Sequence, residues 1–189
     1  MFNVLLDELP EEWNGFPIDS DFQTGIQISQ CLADSELSET ERFYTAVDLL
    51  FPCDQPANKE AAEALEWFLN EFHHDNNTGG KSKGPVMDFD IDQWRIYAAF
   101  RNQYGIDLNT AKMHWFVFMG LLSNLNECAF THVMDIRQKK ITSKMSPEEK
   151  KAIAEAKKVF SIKPPKEERL SPAEQSAVDE FMKYANINK

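Results

Sequence analysis

The feature that most constrains this chain is residues 115–122, a stretch without a single charged or strongly polar side chain. A helix that is apolar on all sides cannot lie at a water-facing surface and has to be surrounded by other elements. The stretch is also far too short to cross a bilayer, which takes about 20 apolar residues. The sequence therefore predicts a central, buried helix that opens at Asn109 or Thr110, with other helices packed around it and no membrane span.

Capping boxes mark the beginnings of three further helices. In residues 38–41, Ser38 can accept the N–H of Glu41 while the Glu41 carboxylate reaches back to the N–H of Ser38. The same pattern, with a proline at the first helical position, follows Ser146 and Ser171. These signals predict helices from residue 39, over residues 147–160 and over residues 172–185.

Apolar periodicity predicts the remaining helices. One is capped within residues 19–21 and ends near residue 33, one covers residues 58–73, and one ends near Arg137. Another is capped by Asp90 or Asp92 and ends at Gly105, a residue suited to the left-handed conformation that closes a helix. We therefore predict an all-α protein, a multi-helix bundle of about six to eight helices.

The N-terminal region carries one signal for β-structure. Asn14-Gly15, between Trp13 and Phe16, is typical of a tight hairpin turn. Pro17 lacks an N–H, which would confine a second strand to an edge position. Either a short β-hairpin or an irregular arm fits this region.

Two changes in composition divide the chain. Residues 76–84 contain three glycines and no apolar side chain, which predicts a mobile loop at residues 74–86. Beyond residue 140 the predicted helices are highly charged with thin apolar faces, and Pro164-Pro165 separates them. We predict a helical body over residues 1–140 and a charged helical tail, flexible in part, over residues 141–189.

The charge of the chain is unevenly distributed. The net charge is −11, with 7 basic and 23 acidic side chains in residues 1–136 and 13 basic and 8 acidic side chains in residues 137–189. An acidic body repels phosphate backbones, and the basic residues of the tail are interleaved with glutamates and accompanied by few aromatic residues for base stacking. We therefore expect no nucleic acid partner.

The three cysteines have unrelated spacings, and no apolar leader precedes residue 10, so we expect reduced thiols in the cytoplasm.

Three patterns that could carry chemistry are weak. Asp88, Asp90 and Asp92 alternate as in a calcium loop, but the glycine and the final glutamate of that loop are missing, so helix capping explains them better. The histidines lack a second ligand at zinc-binding spacing. Cys128 and His132 lie four residues apart and are the basis of a remote alternative, a cysteine-dependent hydrolase. The sequence offers no oxyanion donor for such a site. We expect no enzyme activity, metal or cofactor.

Aromatic residues are the best candidates for a partner-binding surface. Most of the stripe between residues 94 and 118 is expected to pack in the core, while part of it can form a groove for a partner segment. Two further candidates lie on the thin apolar faces of the predicted tail helices. The candidate partner-binding residues are Trp94, Tyr97, Tyr104, Trp115, Phe118, Phe160 and Phe181.

A combination of short motifs resembles one family over most of residues 1–160. The motifs are Asp88-Phe89 with Asp92, Ile96-Tyr97-Ala98-Ala99-Phe100, Tyr104-Gly105-Ile106-Asp107-Leu108, and His114-Trp115 before a phenylalanine. Pro17-Ile18 with Asp21-Phe22, and residues 130–137, add to them. In this combination the chain resembles the phage gene-product-fifteen family of siphophages and prophages, although Phe116 stands where relatives tend to have a second tryptophan.

The resemblance implies a helical protein of tail morphogenesis, adjacent in gene order to the tail-tube and tape-measure proteins. It implies a chaperone-like role in the cytoplasm of the bacterial host, with the tape-measure protein and tail-tube subunits as partners. Because a chaperone of a long helical partner needs weak self-association, we also expect a homo-oligomer. A minor tail or connector component retained in the virion is the alternative. The family offers no catalytic residue to transfer to this sequence.

Overall fold

The fold is described from a computed structural model, which covers residues 3–70 and 86–162. Within these residues the only strands form one short hairpin, and seven helices make up the rest of the regular structure. The strands are β1 (Glu12–Trp13) and β2 (Phe16–Pro17), and the helices are α1 (Phe22–Ala33), α2 (Glu39–Leu50), α3 (Asn58–Asn70), α4 (Gln93–Gln103), α5 (Trp115–Ser123), α6 (Ala129–Gln138) and α7 (Pro147–Val159). The predicted all-α class is therefore confirmed.

The hairpin forms at the Asn-Gly dipeptide. Asn14 has φ 49° and Gly15 has φ 85°, the positive values that a type I′ turn needs at both central positions. Trp13 pairs with Phe16 across the turn, and Glu12 pairs with Pro17. Of the two sequence alternatives, the hairpin is the one that the structure adopts.

Helices α1 and α2 begin at the predicted caps. The Asp21 carboxylate accepts the N–H of Gln23 at 2.9 Å. The capping box of α2 is complete, because the Glu41 N–H donates to Ser38 Oγ and the Ser38 N–H donates to the Glu41 carboxylate. These local bonds satisfy N–H groups that a helix leaves open at its first turn.

Helix α5 is buried over most of its length. Trp115, Phe116, Phe118, Met119 and Leu122 are all buried, as the all-round apolarity predicted. Helix α1 approaches it closely at Gly25, where the absence of a side chain makes room for the Trp115 ring.

The start of α5 differs from the prediction. Asn109 and Thr110 belong to a turn in which the N–H of Asn109 donates to the Asp107 carboxylate. Helix α5 begins only at Trp115, and its cap is His114, whose Nδ1 accepts the N–H of Phe116 at 3.0 Å. The segment before the helix is held extended by backbone bonds to the start of α1, since Phe22 N–H donates to Met113 and Trp115 N–H donates to Ser20.

The contacts between residues divide the chain into two compact units, one ending at His132 and one beginning at Val133. In the second unit, the capping box of Ser146 and Glu149 starts α7 with Pro147 at its first position, as predicted. The end of α7 is tied to the end of α6, because Arg137 Nε donates to the carbonyl of Phe160 and Lys157 Nζ donates to the carbonyl of Arg137, at 2.6 and 2.9 Å.

Several predictions lie outside the described residues. Nearly all of the predicted loop at residues 74–86 falls there, as does the helix predicted after Ser171, which includes Phe181. The division into a body of residues 1–140 and a tail of residues 141–189 stays a prediction. None of the helices in residues 3–70 and 86–162 combines the length and the apolarity that a bilayer crossing requires.

Candidate partner-binding site

An open apolar cleft lies between α1, α4 and α5, within the unit that ends at His132. Its volume is about 200 Å³, which accommodates one or two large apolar side chains. Eight of its ten lining residues are apolar or aromatic. The lining residues are Phe22, Ile26, Phe89, Gln93, Trp94, Ile96, Tyr97, Leu108, Asn109 and Phe118. We refer to this site as the Trp94 cleft.

Helix α4 forms the wall that carries most of the exposed apolar surface. Its inner face buries Ile96, Ala99 and Phe100, while Trp94 stays 74% exposed. Tyr97 lies one turn further along the same face, and its ring meets the Trp94 ring edge-on with centroids 6.1 Å apart. Tryptophan has a large apolar surface, and its exposure beside an apolar cleft makes this surface a candidate contact site.

The floor of the cleft is rigid. Phe118 is fully buried, and its ring stacks with the rings of Phe22, Phe100 and Trp115 at centroid distances of 5.0, 5.1 and 5.8 Å. Phe89 packs against the same cluster, with its ring centroid 6.3 Å from that of Phe118. Interlocked rings of this kind leave little freedom to collapse, so the cleft is largely preformed.

An aspartate-rich turn sets the position of α4. The Asp88 carboxylate accepts the N–H groups of Asp90 and Ile91, both at 2.9 Å. Asp92 occupies the N-cap position, one of the two predicted for this helix, but its side chain makes no capping bond. Instead the buried Asp92 carboxylate accepts from Arg95 Nη1 at 2.9 Å and from the N–H of Asp88 at 3.2 Å.

Polar groups hold the two rims. Asp90 Oδ1 accepts a hydrogen bond from Gln30 Nε2 at 2.6 Å, which links the turn to α1. On the other side, the Tyr97 hydroxyl donates to Asp107 at 3.3 Å, next to the lining residue Leu108. Lys112 Nζ lies 3.7 Å from Asp21, next to the lining residue Phe22. These contacts fix the edges of the cleft but leave its apolar mouth uncovered by the described residues.

The structure brings together three of the seven predicted partner-binding residues, because Trp94, Tyr97 and Phe118 all line the cleft. Trp115 is buried one layer further in, where it supports the floor. Tyr104 lies away from the cleft, with its hydroxyl donating to the carbonyl of Leu121 at 2.9 Å. Phe160 is half-buried in the second unit.

Five apolar lining residues were not among the predicted partner-binding residues, namely Phe22, Ile26, Phe89, Ile96 and Leu108. Phe22 and Ile26 lie on one face of α1, but an i, i+4 pair looks the same in sequence whether it fills a core or borders a cleft. Phe89 and Leu108 flank α4, and only the tertiary fold places them beside α1.

Several residues of the patterns that suggested chemistry make local contacts in the part of the chain that the structure describes. Residues 3–70 and 86–162 contain no group of three or more histidine, cysteine or acidic side chains that could hold a metal ion. Cys128 Sγ lies 3.7 Å from the hydroxyl of Thr131, which also accepts the N–H of Cys128. His114 is buried, with Nε2 2.9 Å from the carbonyl of Pro10 and Nδ1 used for the α5 cap.

Comparison with known families gives a match. The family described as bacteriophage Gp15 protein matches residues 5–162, which is most of the chain and includes every residue of the Trp94 cleft. The resemblance found from the short motifs is thereby confirmed. No curated protein and no solved structure matches the chain.

Proposed function

We propose, from the premise that this chain belongs to the bacteriophage Gp15 protein family, that it is a non-enzymatic tail assembly protein with a chaperone-like role. Its primary partner in this proposal is the tape-measure protein, bound through helical segments, and tail-tube subunits are a further partner. The Trp94 cleft is the surface that receives the tape-measure segment.

The observation that carries this proposal is the exposed Trp94 at the mouth of an apolar, preformed cleft. Large aromatic side chains beside pockets are the typical energetic centres of protein interfaces. Such surface is costly to leave in water, where each Å² of exposed apolar area is unfavourable by about 25 cal/mol relative to burial. A partner that covers Trp94 therefore gains binding free energy without having to reorganise the body.

The dimensions of the cleft favour a helix laid across it. A volume of about 200 Å³ takes side chains, not backbone, so a helical partner would insert one or two anchors spaced three or four residues apart. A single small site of this kind binds weakly. A long helical partner compensates for this weak binding. Many copies of this chain can bind along it, and their contacts add up as a chaperone coat requires.

The charge of this unit is also compatible with such a role. Residues 3–70 and 86–132 carry 20 acidic and 5 basic side chains, a net charge of −15. Strong like charge keeps a protein dispersed when it is present at high concentration. A chaperone needed in many copies per tape measure benefits from that property.

The proposal is tested by co-expressing the full chain with overlapping fragments of the tape-measure protein encoded in the same phage genome. We expect one or more fragments to be retained with the wild-type chain, and retention to be lost with Trp94→Ser. Tyr44→Ser is the matched control, because Tyr44 is also exposed, at 47%, but lies on α2 away from the cleft. The absence of binding to every fragment would contradict the proposal.

Mass spectrometry of purified virions distinguishes this role from that of a minor tail or connector component. A chaperone leaves the particle before assembly is complete, so peptides of this chain should be missing from virions while the tape-measure protein is detected. Recovery of the chain in a fixed ratio to the tape-measure protein would favour the structural alternative.

A further inference from the structure

The loops around the Trp94 cleft place an aspartate beside three of its lining residues. Asp21 precedes Phe22, Asp90 follows Phe89, and Asp107 precedes Leu108. The three carboxylates differ in their surroundings. Lys112 lies 3.7 Å from Asp21, and Arg101 lies 3.8 Å from Asp107, so those two charges are partly compensated.

Asp90 is different. Its side chain is exposed, and within residues 3–70 and 86–162 its carboxylate accepts one side-chain hydrogen bond, from the neutral amide of Gln30. Lysine and arginine side chains of those residues form their ion pairs with other carboxylates. The negative charge of Asp90 is therefore available to a cation from outside this part of the chain.

Exposed residues that follow Asp90 in the sequence can also interact with an organic cation. Ile91 is 45% exposed and Trp94 is 74% exposed, and both follow Asp90 within four residues. The face of an exposed indole attracts ammonium and guanidinium groups, worth about 0.5–1 kcal/mol at such a site. The uncompensated carboxylate of Asp90 is thus adjacent in sequence to the lining residue Phe89 and precedes the exposed Trp94 by four residues.

We propose that the occupant of the Trp94 cleft is a basic amphipathic helix. An apolar side chain enters the cleft, and a lysine or arginine about one helical turn away lies over Trp94 and pairs with Asp90. This inference rests on the proposed function and adds the chemistry of the bound segment. The net charge of −15 on the surrounding residues acts in the same direction, because it attracts basic segments and repels acidic ones.

Two synthetic helical peptides of equal length test this inference. Both carry leucine anchors at i and i+4, but one has lysines and the other glutamates at the flanking positions. Each is labelled with a fluorophore and titrated with the full-length protein while anisotropy is recorded. We expect binding of the lysine peptide only, and a steep loss of affinity as salt is raised.

A matched pair of variants locates the charge effect. Asp90→Asn should weaken binding of the lysine peptide by about threefold to tenfold at low salt. Asp48→Asn is the control, since Asp48 is also exposed and also accepts a bond from a glutamine amide, Gln55 Nε2 at 2.7 Å, but lies on α2. It removes the same charge from the same unit and should leave affinity unchanged.

Three results would overturn the inference. The first is equal binding of both peptides. The second is an equal loss of affinity for the lysine peptide in Asp90→Asn and Asp48→Asn, because the attraction would then come from the overall charge. The third is failure of both peptides to bind while tape-measure fragments are still retained by the wild-type chain. That last result would leave the proposed function standing, whereas loss of fragment binding as well would contradict both.

Discussion

Gly25 of α1 lies directly against the indole ring of Trp115, so that a Cβ at residue 25 would overlap Cε3 and Cδ2 of that ring. The ring cannot easily move away, because it also stacks with Phe68 and Phe118, at centroid distances of 6.1 and 5.8 Å. We expect Gly25→Ala to destabilise the fold by about 2–3 kcal/mol, as overpacking of a rigid core does. Urea unfolding followed by far-UV circular dichroism measures this loss.

Gly120 provides the control for that substitution. It lies in α5, yet among the described residues a Cβ at residue 120 would meet no heavy atom within 4 Å, apart from the adjoining turns of α5 itself. Gly120→Ala should therefore stabilise the protein by about 0.5–1 kcal/mol, because alanine loses less backbone entropy than glycine in a helix. An equal change in the free energy of unfolding for Gly25→Ala and Gly120→Ala would contradict the close packing of α1 on α5.

The sequence predicted the elements whose signals are local. The capping boxes at Ser38 and Ser146 each need only four consecutive residues, and both form as expected. Asn14-Gly15 likewise determines its own turn. The buried α5 was predictable because no arrangement of so apolar a stretch leaves it in water.

The start of α5 was not predictable from local signals. Asn109 and Thr110 are favoured capping residues, and histidine is a weaker one. What decides the boundary is a pair of distant backbone bonds, from Phe22 N–H to Met113 and from Trp115 N–H to Ser20, which keep residues 113–114 extended. The Trp94 cleft has the same origin, since its walls meet only through tertiary packing.

Removing the imidazole of His114 tests the unexpected cap. His114 is buried and joins two segments, because Nδ1 accepts from Phe116 N–H while Nε2 bonds to the carbonyl of Pro10. We expect His114→Ala to cost about 2–3 kcal/mol, since it removes a capping hydrogen bond of α5 and the hydrogen bond to the carbonyl of Pro10. His132→Ala, at an exposed position of α6, should change stability by less than about 0.5 kcal/mol. Equal costs would show that the cap contributes nothing.

A buried charge determines the stability of the start of α4. Asp92 is completely buried, and Arg95 Nη1 lies 2.9 Å from its carboxylate. Arg95→Met should cost about 3 kcal/mol, because it removes the cationic partner of a buried carboxylate. Arg101→Met is the control on the same helix, where the pair with Asp107 is 3.8 Å apart and the arginine is 55% exposed. The control should cost less than about 1 kcal/mol, and a reversed order in urea unfolding would contradict the assigned roles.

The capping box of α2 predicts a dependence of stability on pH. The hydrogen bonds from the side chain and the N–H of Ser38 lower the pKa of Glu41 below the ordinary value of 4.5. A carboxyl group whose pKa is lower in the folded state contributes stability that is fully present above the unfolded pKa and is lost as the pH falls through the folded pKa. Wild type should therefore exceed Glu41→Gln in stability near neutral pH, and the difference should shrink as the pH falls below 4.5.

Unfolding by urea over that pH range, for both proteins, measures the effect. The Ser38→Ala background supplies the control, since it removes the side-chain hydrogen bond that is the largest cause of the lowered pKa. When Glu41→Gln is introduced into that background, the resulting change in stability should vary less with pH, because only the bond from the N–H of residue 38 remains. If the stability difference between wild type and Glu41→Gln did not depend on pH, the role of the Glu41 carboxylate in holding the start of α2 would be contradicted.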